Sequence, residues 1–124
     1  MDHRFSVESV SGMGRGVFAR CAIVAGEVLG TFHTIHVPAA EVNAGAASTL
    51  AHYWFLDDAD GSAFVVLGFI ELLNHSRRPN LERRWLLTET GWQVELFALR
   101  AIEPGEQLMI DYRFAGDADD PAWA

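Results

Sequence analysis

Lysine is absent. All nine basic side chains of the 124-residue chain are arginines, so the chain offers no lysine of its own for modification. A compositional bias toward arginine, alanine and glycine is the simplest account. Cysteine is almost absent too. Cys21 alone can form neither an internal disulfide nor a multi-cysteine zinc site. No apolar run approaches the roughly 20 residues that span a bilayer, and "MDHRFSVESV" lacks the apolar stretch of a signal peptide. Together these point to the cytoplasm. Positive charge is scarce, with a net charge of -8. Phosphate contacts need a basic face, so direct nucleic-acid binding is disfavoured. A basic partner is favoured, because complementary fields steer encounter.

Half of the residues are hydrophobic, enough for one domain with a core but not for two. Strand signals dominate. "RFSVESV" alternates in part, and "SGMGRG" reads as a glycine-rich turn. "VFARCAIVAGEVLGTFHTIHV" carries short β-branched and aromatic runs broken at Ala25-Gly26. "PAAEVNAGAASTL" is the best helix or loop segment, with Pro38 at its start and Gly45 weakening it. "HYWFL" and "AFVVLG" read as strands joined by "DDADGS". "FIELL" suits one helical turn. "LERRWLLT" and "WQVELFALR" form a hairpin around Glu89-Thr90-Gly91. "IEPGEQLMIDY" reads as a turn feeding a strand that ends in a tyrosine. The tail "AGDADDPAWA" is acidic and expected to be loose. Short strands with closely spaced turns predict a mainly β fold.

The apolar run "FVVLGFIELL" stops at Asn74-His75-Ser76, followed by Arg77-Arg78-Pro79-Asn80. A turn accounts for this locally, since Asn and Ser are turn formers and Pro79 pushes Arg78 out of the helical region. Gly12, Gly14 and Gly16 crowd into "GMGRG", where a backbone can approach a ligand closely. A dinucleotide fold would need a helix next, and "VFARCAIV" is strand-like instead. His33 and His36 form H-x-x-H, but side chains three apart on a strand face opposite sides. A metal-dependent β-barrel using His33, His36 and His52 is therefore a weak reading. "DDADG" resembles a calcium loop only faintly, because the spacing lacks the required Glu.

Taken in order, "GMGRGVFA", "IVAGEVLG", "HYWFLDDADG", "LLNHSRRPN" and "ALRAIEPGEQLMIDY" resemble the SET-domain family of protein lysine methyltransferases, a stand-alone minimal member of bacterial or viral type. The match runs from about Phe5 to Tyr112. The resemblance implies one SET domain over 1–124, with a core of about 5–114 and an acidic tail over 115–124. It implies small sheets, one or two short helices and a knot-like crossing at Asn-His-Ser, a threading rare among proteins. It further implies S-adenosylmethionine as methyl donor, no metal, and lysine side chains of another protein as acceptor. Met13, Gly14, Arg15, Gly16, Asn74 and His75 would bind the cofactor. Asn74 would take its polar end, and the His75 backbone its adenine. Asn80 would brace the crossing. Tyr112 would be catalytic, orienting the amine rather than acting as phenolate, since a tyrosine pKa near 10 leaves little anion. Tyr53 would form a second wall of the lysine channel.

Ile110, two residues before Tyr112, would line that channel with Phe114. Having no hydroxyl to hold a water, Ile110 would permit dimethyl or trimethyl products. Phe114 or Trp123 would close the site. The amine must be neutral to attack, and a nearby sulfonium and apolar walls lower its pKa. The chain departs from many relatives in three places: Arg77 follows Asn-His-Ser where a cysteine is common, no cysteine follows Tyr112 to build a zinc cap, and Glu71 stands where a basic residue is common. A basic target is expected, of ribosomal, nucleoid or histone-like kind. A homodimer is expected to complete the channel, with Trp85, Trp92 or Trp123 in its interface. The main rival is a SET-fold binding module without turnover.

Overall fold

The structure is a computed structural model and describes residues 2–112. Phe114 and Trp123 lie outside the described residues. The described chain forms strands β1 (Phe5–Val10), β2 (Gly14–Ala19), β3 (Val28–Val37), β4 (Phe55–Leu56), β5 (Ala63–Val66), β6 (Asn74–His75), β7 (Leu81–Thr88), β8 (Gly91–Ala98) and β9 (Gln107–Ile110). One short α-helix, α1 (Ala39–Ala44), follows Pro38, and two 3-10 turns cover Thr49–His52 and Phe69–Leu72. The fold is mainly β, as the strand signals predict.

Two sheets share these strands. One has the order β1-β2-β9-β6, the other β4-β5-β3-β8-β7. Hairpins build most of both. In β1–β2, Phe5 pairs with Ala19 and Val10 with Gly14. The turn between them needs positive φ at Gly12 (80°) and Gly14 (79°), a conformation that glycine adopts without a Cβ penalty. The glycine run is thus less of a turn than its composition predicts: Gly14-Arg15-Gly16 already belongs to β2. In β7–β8, Thr88 pairs with Gly91 across Glu89-Thr90, and seven more residue pairs align behind them. This is the expected hairpin.

"HYWFL" departs from expectation. Its His52 ends a 3-10 turn, Tyr53 caps it, and only Phe55-Leu56 pairs with β5. The last strand also stops early, at Ile110 rather than Tyr112.

The core draws on both sheets. Val17 and Leu108 come from the first, Leu29, Val66, Val94 and Leu96 from the second, all within one buried cluster. Burying a Val, Leu or Ile side chain contributes about 1.5–3 kcal/mol, so a dozen such residues dominate the favourable side of folding. Ile70 and Leu73 enter the same cluster. They anchor the chain on either side of Glu71 and deliver it into β6.

β6 pairs with β9 in parallel, Asn74 opposite Met109 and His75 opposite Ile110. Parallel neighbours need a long crossover connection, here the whole β7–β8 hairpin. Asn80, 4% exposed, secures the return. Its Nδ2 donates to the Gln107 carbonyl at 2.8 Å, and its Oδ1 accepts from the Met109 N–H at 2.9 Å. Its own carbonyl accepts from the Leu99 N–H at 2.9 Å. Segment 74–80 thus grips β9 from two sides. No helix among the described residues is long and apolar enough to cross a membrane.

Candidate active site

The residues at the β6–β9 contact converge on Tyr112. Its hydroxyl donates to the Leu73 carbonyl. Its backbone N–H donates to His75 Nδ1 at 3.0 Å, and the two rings stand 5.1 Å apart. His75 Nδ1 also lies 3.7 Å from Asp111 Oδ1. An Nδ1 that accepts a hydrogen bond carries no proton itself, so the Nε2–H tautomer fits the shorter contact. His75 is therefore a packed, bonded histidine at Nδ1, and the 3.7 Å approach is not an ion pair. The Ser76 N–H donates to the Ile110 carbonyl; strand alternation then turns the His75 backbone N–H and carbonyl away from β9.

Arg83 holds the same segment from beneath. Its guanidinium donates to the carbonyls of Asp111 (2.7 Å) and Tyr112 (3.4 Å) and lies 5.4 Å above the Phe55 ring. Burial presses its pKa downward, opposed by Glu82 and Asp111. The signal for this arginine was present in the alternation. Leu81, Arg83 and Trp85 share one face of β7, and Arg83 is buried among apolar neighbours.

Burial pushes the Tyr112 hydroxyl pKa up, and Glu71 and Tyr53 push it in the same direction. The phenol thus stays protonated at neutral pH and acts as a hydrogen-bond donor. The effect of Tyr53 also brings that side chain into electrostatic reach of Tyr112, although Tyr53 itself is exposed. Glu71 has Oε1 buried without a hydrogen-bond partner among the described residues. Burial raises its pKa to about 7, partly offset by a hydrogen bond from the Val66 backbone.

The glycine stretch meets the crossing at Asn74. Asn74 Nδ2 donates to the Arg15 carbonyl at 3.0 Å and to Gln107 Oε1 at 2.7 Å. The carbonyl of Arg15 accepts only, which fixes the orientation of the amide. Both amide protons are then used, leaving Oδ1 as the acceptor for a ligand. A Cβ on Gly16 would stand 2.5 Å from Gln107 Oε1 and 2.9 Å from Asn74 Nδ2, so any other residue here would force those side-chain ends to move. Met13, Gly14 and Arg15 are exposed beside it. Gln107 escaped the sequence reading; its position opening the strand after "PGE", opposite Phe18 of β2, was the available hint.

Ile110 is 0% exposed and belongs to the core cluster. Ile110 closes β9, so strand alternation does not carry on to Tyr112. Trp85 is likewise not exposed; it packs against Phe64 at 5.3 Å. Trp92 is 40% exposed. A separate cavity of about 330 Å³ is lined by Phe55, Phe64, Trp85 and Trp92, with Asp57 and Asp58 beside them. His33, His36 and His52 are exposed, and the described residues hold no group of three or more His, Cys, Asp or Glu able to ligate a metal.

Comparison with known proteins gives this arrangement its relatives. The family model for the SET domain matches residues 14–113. Histone-lysine N-methyltransferase ATXR3 of Arabidopsis thaliana is 36% identical over 61 residues, 44% of this chain and 3% of its own length. Histone-lysine N-methyltransferase MEDEA of the same plant is 40% identical over 50 residues, 40% of this chain and 7% of its own length. The chain thus spans a small fraction of these curated relatives. A Plasmodium falciparum protein solved as a candidate histone methyltransferase superposes with a TM-score of 0.72, covering 91% of this chain and 96% of that one, at 21% identity. That likeness is one of fold. The family match takes in the glycine strand, the crossing and Tyr112 together, and on that match the chain belongs to the SET-domain family.

Proposed function

We propose that this chain transfers methyl groups from S-adenosylmethionine to lysine side chains of another protein. The observation that carries the reading is the grip of Asn74-His75 on β9, with the Tyr112 hydroxyl fixed on the Leu73 carbonyl beside it. The residues present fit the cofactor on one structural ground: the close approach at Gly16, where a Cβ would collide with Gln107 and Asn74. Gly14, Arg15 and Gly16 would hold the amino-acid end of the cofactor by their backbone, with Met13 alongside. Asn74 would accept from the cofactor ammonium through Oδ1, and the backbone of His75 would read its base. When bound, the cofactor supplies a methyl group carried on a sulfonium.

The work of the chain's own residues is positioning. Tyr112 stays protonated, so its oxygen can orient the incoming amine through lone pairs while its O–H stays donated to the Leu73 carbonyl. Tyr53 would flank the aliphatic part of the lysine. Phe114, outside the described residues, is the remaining channel residue proposed. A basic protein is the favoured acceptor, since the chain carries a net charge of -8 and Asp57 and Asp58 border the aromatic cavity. The cytoplasm is the compartment this reading favours.

The test uses purified protein, labelled cofactor and basic proteins such as ribosomal proteins and histones. Label recovered on lysine ε-nitrogens by mass spectrometry is expected. Cofactor binding by calorimetry without any transfer would instead identify a binding module.

A further inference from the structure

Tyr112 has a second polar group beside it. Glu71 lies in the 3-10 turn Phe69–Leu72, two residues before the carbonyl that accepts the Tyr112 hydroxyl. Ile70 and Leu73, each 1% exposed, pin the turn into the core. The Glu71 carboxyl is consequently held inward, and its Oε1 is buried with no hydrogen-bond partner among the described residues. Buried acceptors in native proteins are nearly always bonded, so a lone one asks for an explanation. The Val66 backbone acts on the Glu71 carboxyl, but no group among the described residues bonds Oε1.

We propose that Glu71 receives the ammonium of the substrate lysine beside Tyr112 and takes its proton. This rests on the lysine-methylation reading and names the group that handles the proton within it. The chemistry of the orphan oxygen selects the ligand. It needs a hydrogen-bond donor, and as a carboxylate it favours a cation. An ammonium offers three N–H donors and a positive charge. A sulfonium offers charge but no N–H, and an anion would be repelled.

The proton balance is simple. Lysine arrives protonated, because its free pKa is around 10.4. One N–H bond breaks and one O–H bond forms on Glu71. An ammonium and a carboxylate become a neutral amine and a neutral acid, and the nitrogen lone pair is freed for the methyl. Glu71 then releases the proton to solvent. The same burial that raises the carboxyl to about 7 lowers the amine, so the two affinities approach each other. Tyr112 and Tyr53 are titratable groups of this cluster, with His75 and Asp111 adjoining Tyr112; no arginine or histidine contributes to the shift of Glu71.

The experiment compares the full chain with Glu71→Gln, which keeps shape and removes charge. Binding of the peptide Gly-Arg-Lys-Arg-Gly, and of its norleucine counterpart, is measured calorimetrically with S-adenosylhomocysteine present. The wild type should prefer the lysine peptide about tenfold, and Glu71→Gln should lose that preference. Transfer to the lysine peptide by Glu71→Gln should fall at pH 7 by roughly a hundredfold, the usual scale of acid–base assistance. The deficit should shrink toward pH 10, where the free amine needs no acceptor, and Glu71→Asp should recover part of the rate. A lysine preference unchanged in Glu71→Gln, or a deficit equal at every pH, overturns the proposal. A wild type that shows the preference but transfers no methyl supports Glu71 as the amine receiver and overturns the reaction reading alone. Should Glu71→Gln fail to fold, carboxyl carbon-13 NMR of glutamate-labelled wild type decides. Added n-butylamine must move one high-titrating glutamate resonance, and an unmoved resonance overturns the proposal.

Discussion

At the scale of single residues, Tyr112 and Glu71 make separable demands. Tyr112→Phe deletes one hydroxyl and its bond to the Leu73 carbonyl but leaves the ring packed on His75. Transfer should fall about a hundredfold, the scale of a misplaced reactant, while calorimetry should find cofactor affinity within about twofold. Near-normal transfer would remove Tyr112 from the mechanism. Glu71 predicts a pH effect on stability whose sign follows from its raised pKa of about 7. Between the usual carboxyl range and that value, the folded state binds more protons than the unfolded one. The stability conferred by protonated Glu71 is therefore full below about 4.5 and lost as pH rises through about 7. Glu71→Gln removes this loss. Its thermal midpoint, relative to wild type, should climb between pH 5 and pH 8, by an amount reduced from the full shift because the carboxyl is partly solvated. A difference that stays constant over this range would mean that Glu71 ionises normally.

At the scale of elements, β9 is the member on which the site is assembled, and two substitutions probe its two sides. Asn80→Ala removes the side-chain bonds to the Gln107 carbonyl and the Met109 N–H. Leaving those backbone groups without a partner should cost about 2–4 kcal/mol, read as a lowered midpoint in denaturant. Gly16→Ala forces a methyl against Gln107 Oε1 and Asn74 Nδ2. Those are side-chain ends that can shift, so a milder loss of about 1–3 kcal/mol is expected, together with weakened cofactor binding. Retained cofactor affinity in folded Gly16→Ala would argue that the close approach serves packing alone. The elements also show what could be read in advance. The β7–β8 hairpin and the α1 start at Pro38 were legible because turn chemistry and proline act locally. Tyr53 was misplaced on a strand because a strand of two residues, Phe55-Leu56, leaves too short a pattern to mark its edge. The inward turn of Arg83 was carried by the alternation of β7, but its bonds to the Asp111 and Tyr112 carbonyls and the bond from Asn74 to Gln107 depend on which groups meet across distant strands. Motif resemblance singled out Asn74 and Tyr112 as candidates, but only the three-dimensional packing exposed the Glu71 oxygen that is buried and unbonded among the described residues and placed Ile110 in the core.

At the scale of the whole molecule, the described residues leave an aromatic cavity with Asp57 and Asp58 beside it and Trp92 well exposed on a strongly acidic chain. Transfer to arginine-rich lysine peptides should therefore exceed transfer to neutral ones at low salt, and the advantage should fade near 1 M salt, where exposed charges are screened within about 3 Å. An advantage unaffected by salt would point to shape rather than charge. We also expect a homodimer, with Trp92 at its interface, and light scattering at assay concentration would show a monomer if that is wrong. The central claim is the transfer of methyl groups to lysine, and the most direct measurement is mass spectrometry of a basic protein mixture after incubation with the chain and isotopically labelled S-adenosylmethionine. The chain contains no lysine, so every labelled lysine found must belong to a partner. The account predicts label on partner lysine ε-nitrogens that falls about a hundredfold with Tyr112→Phe; label on other side chains only, or none while the cofactor binds, would contradict it.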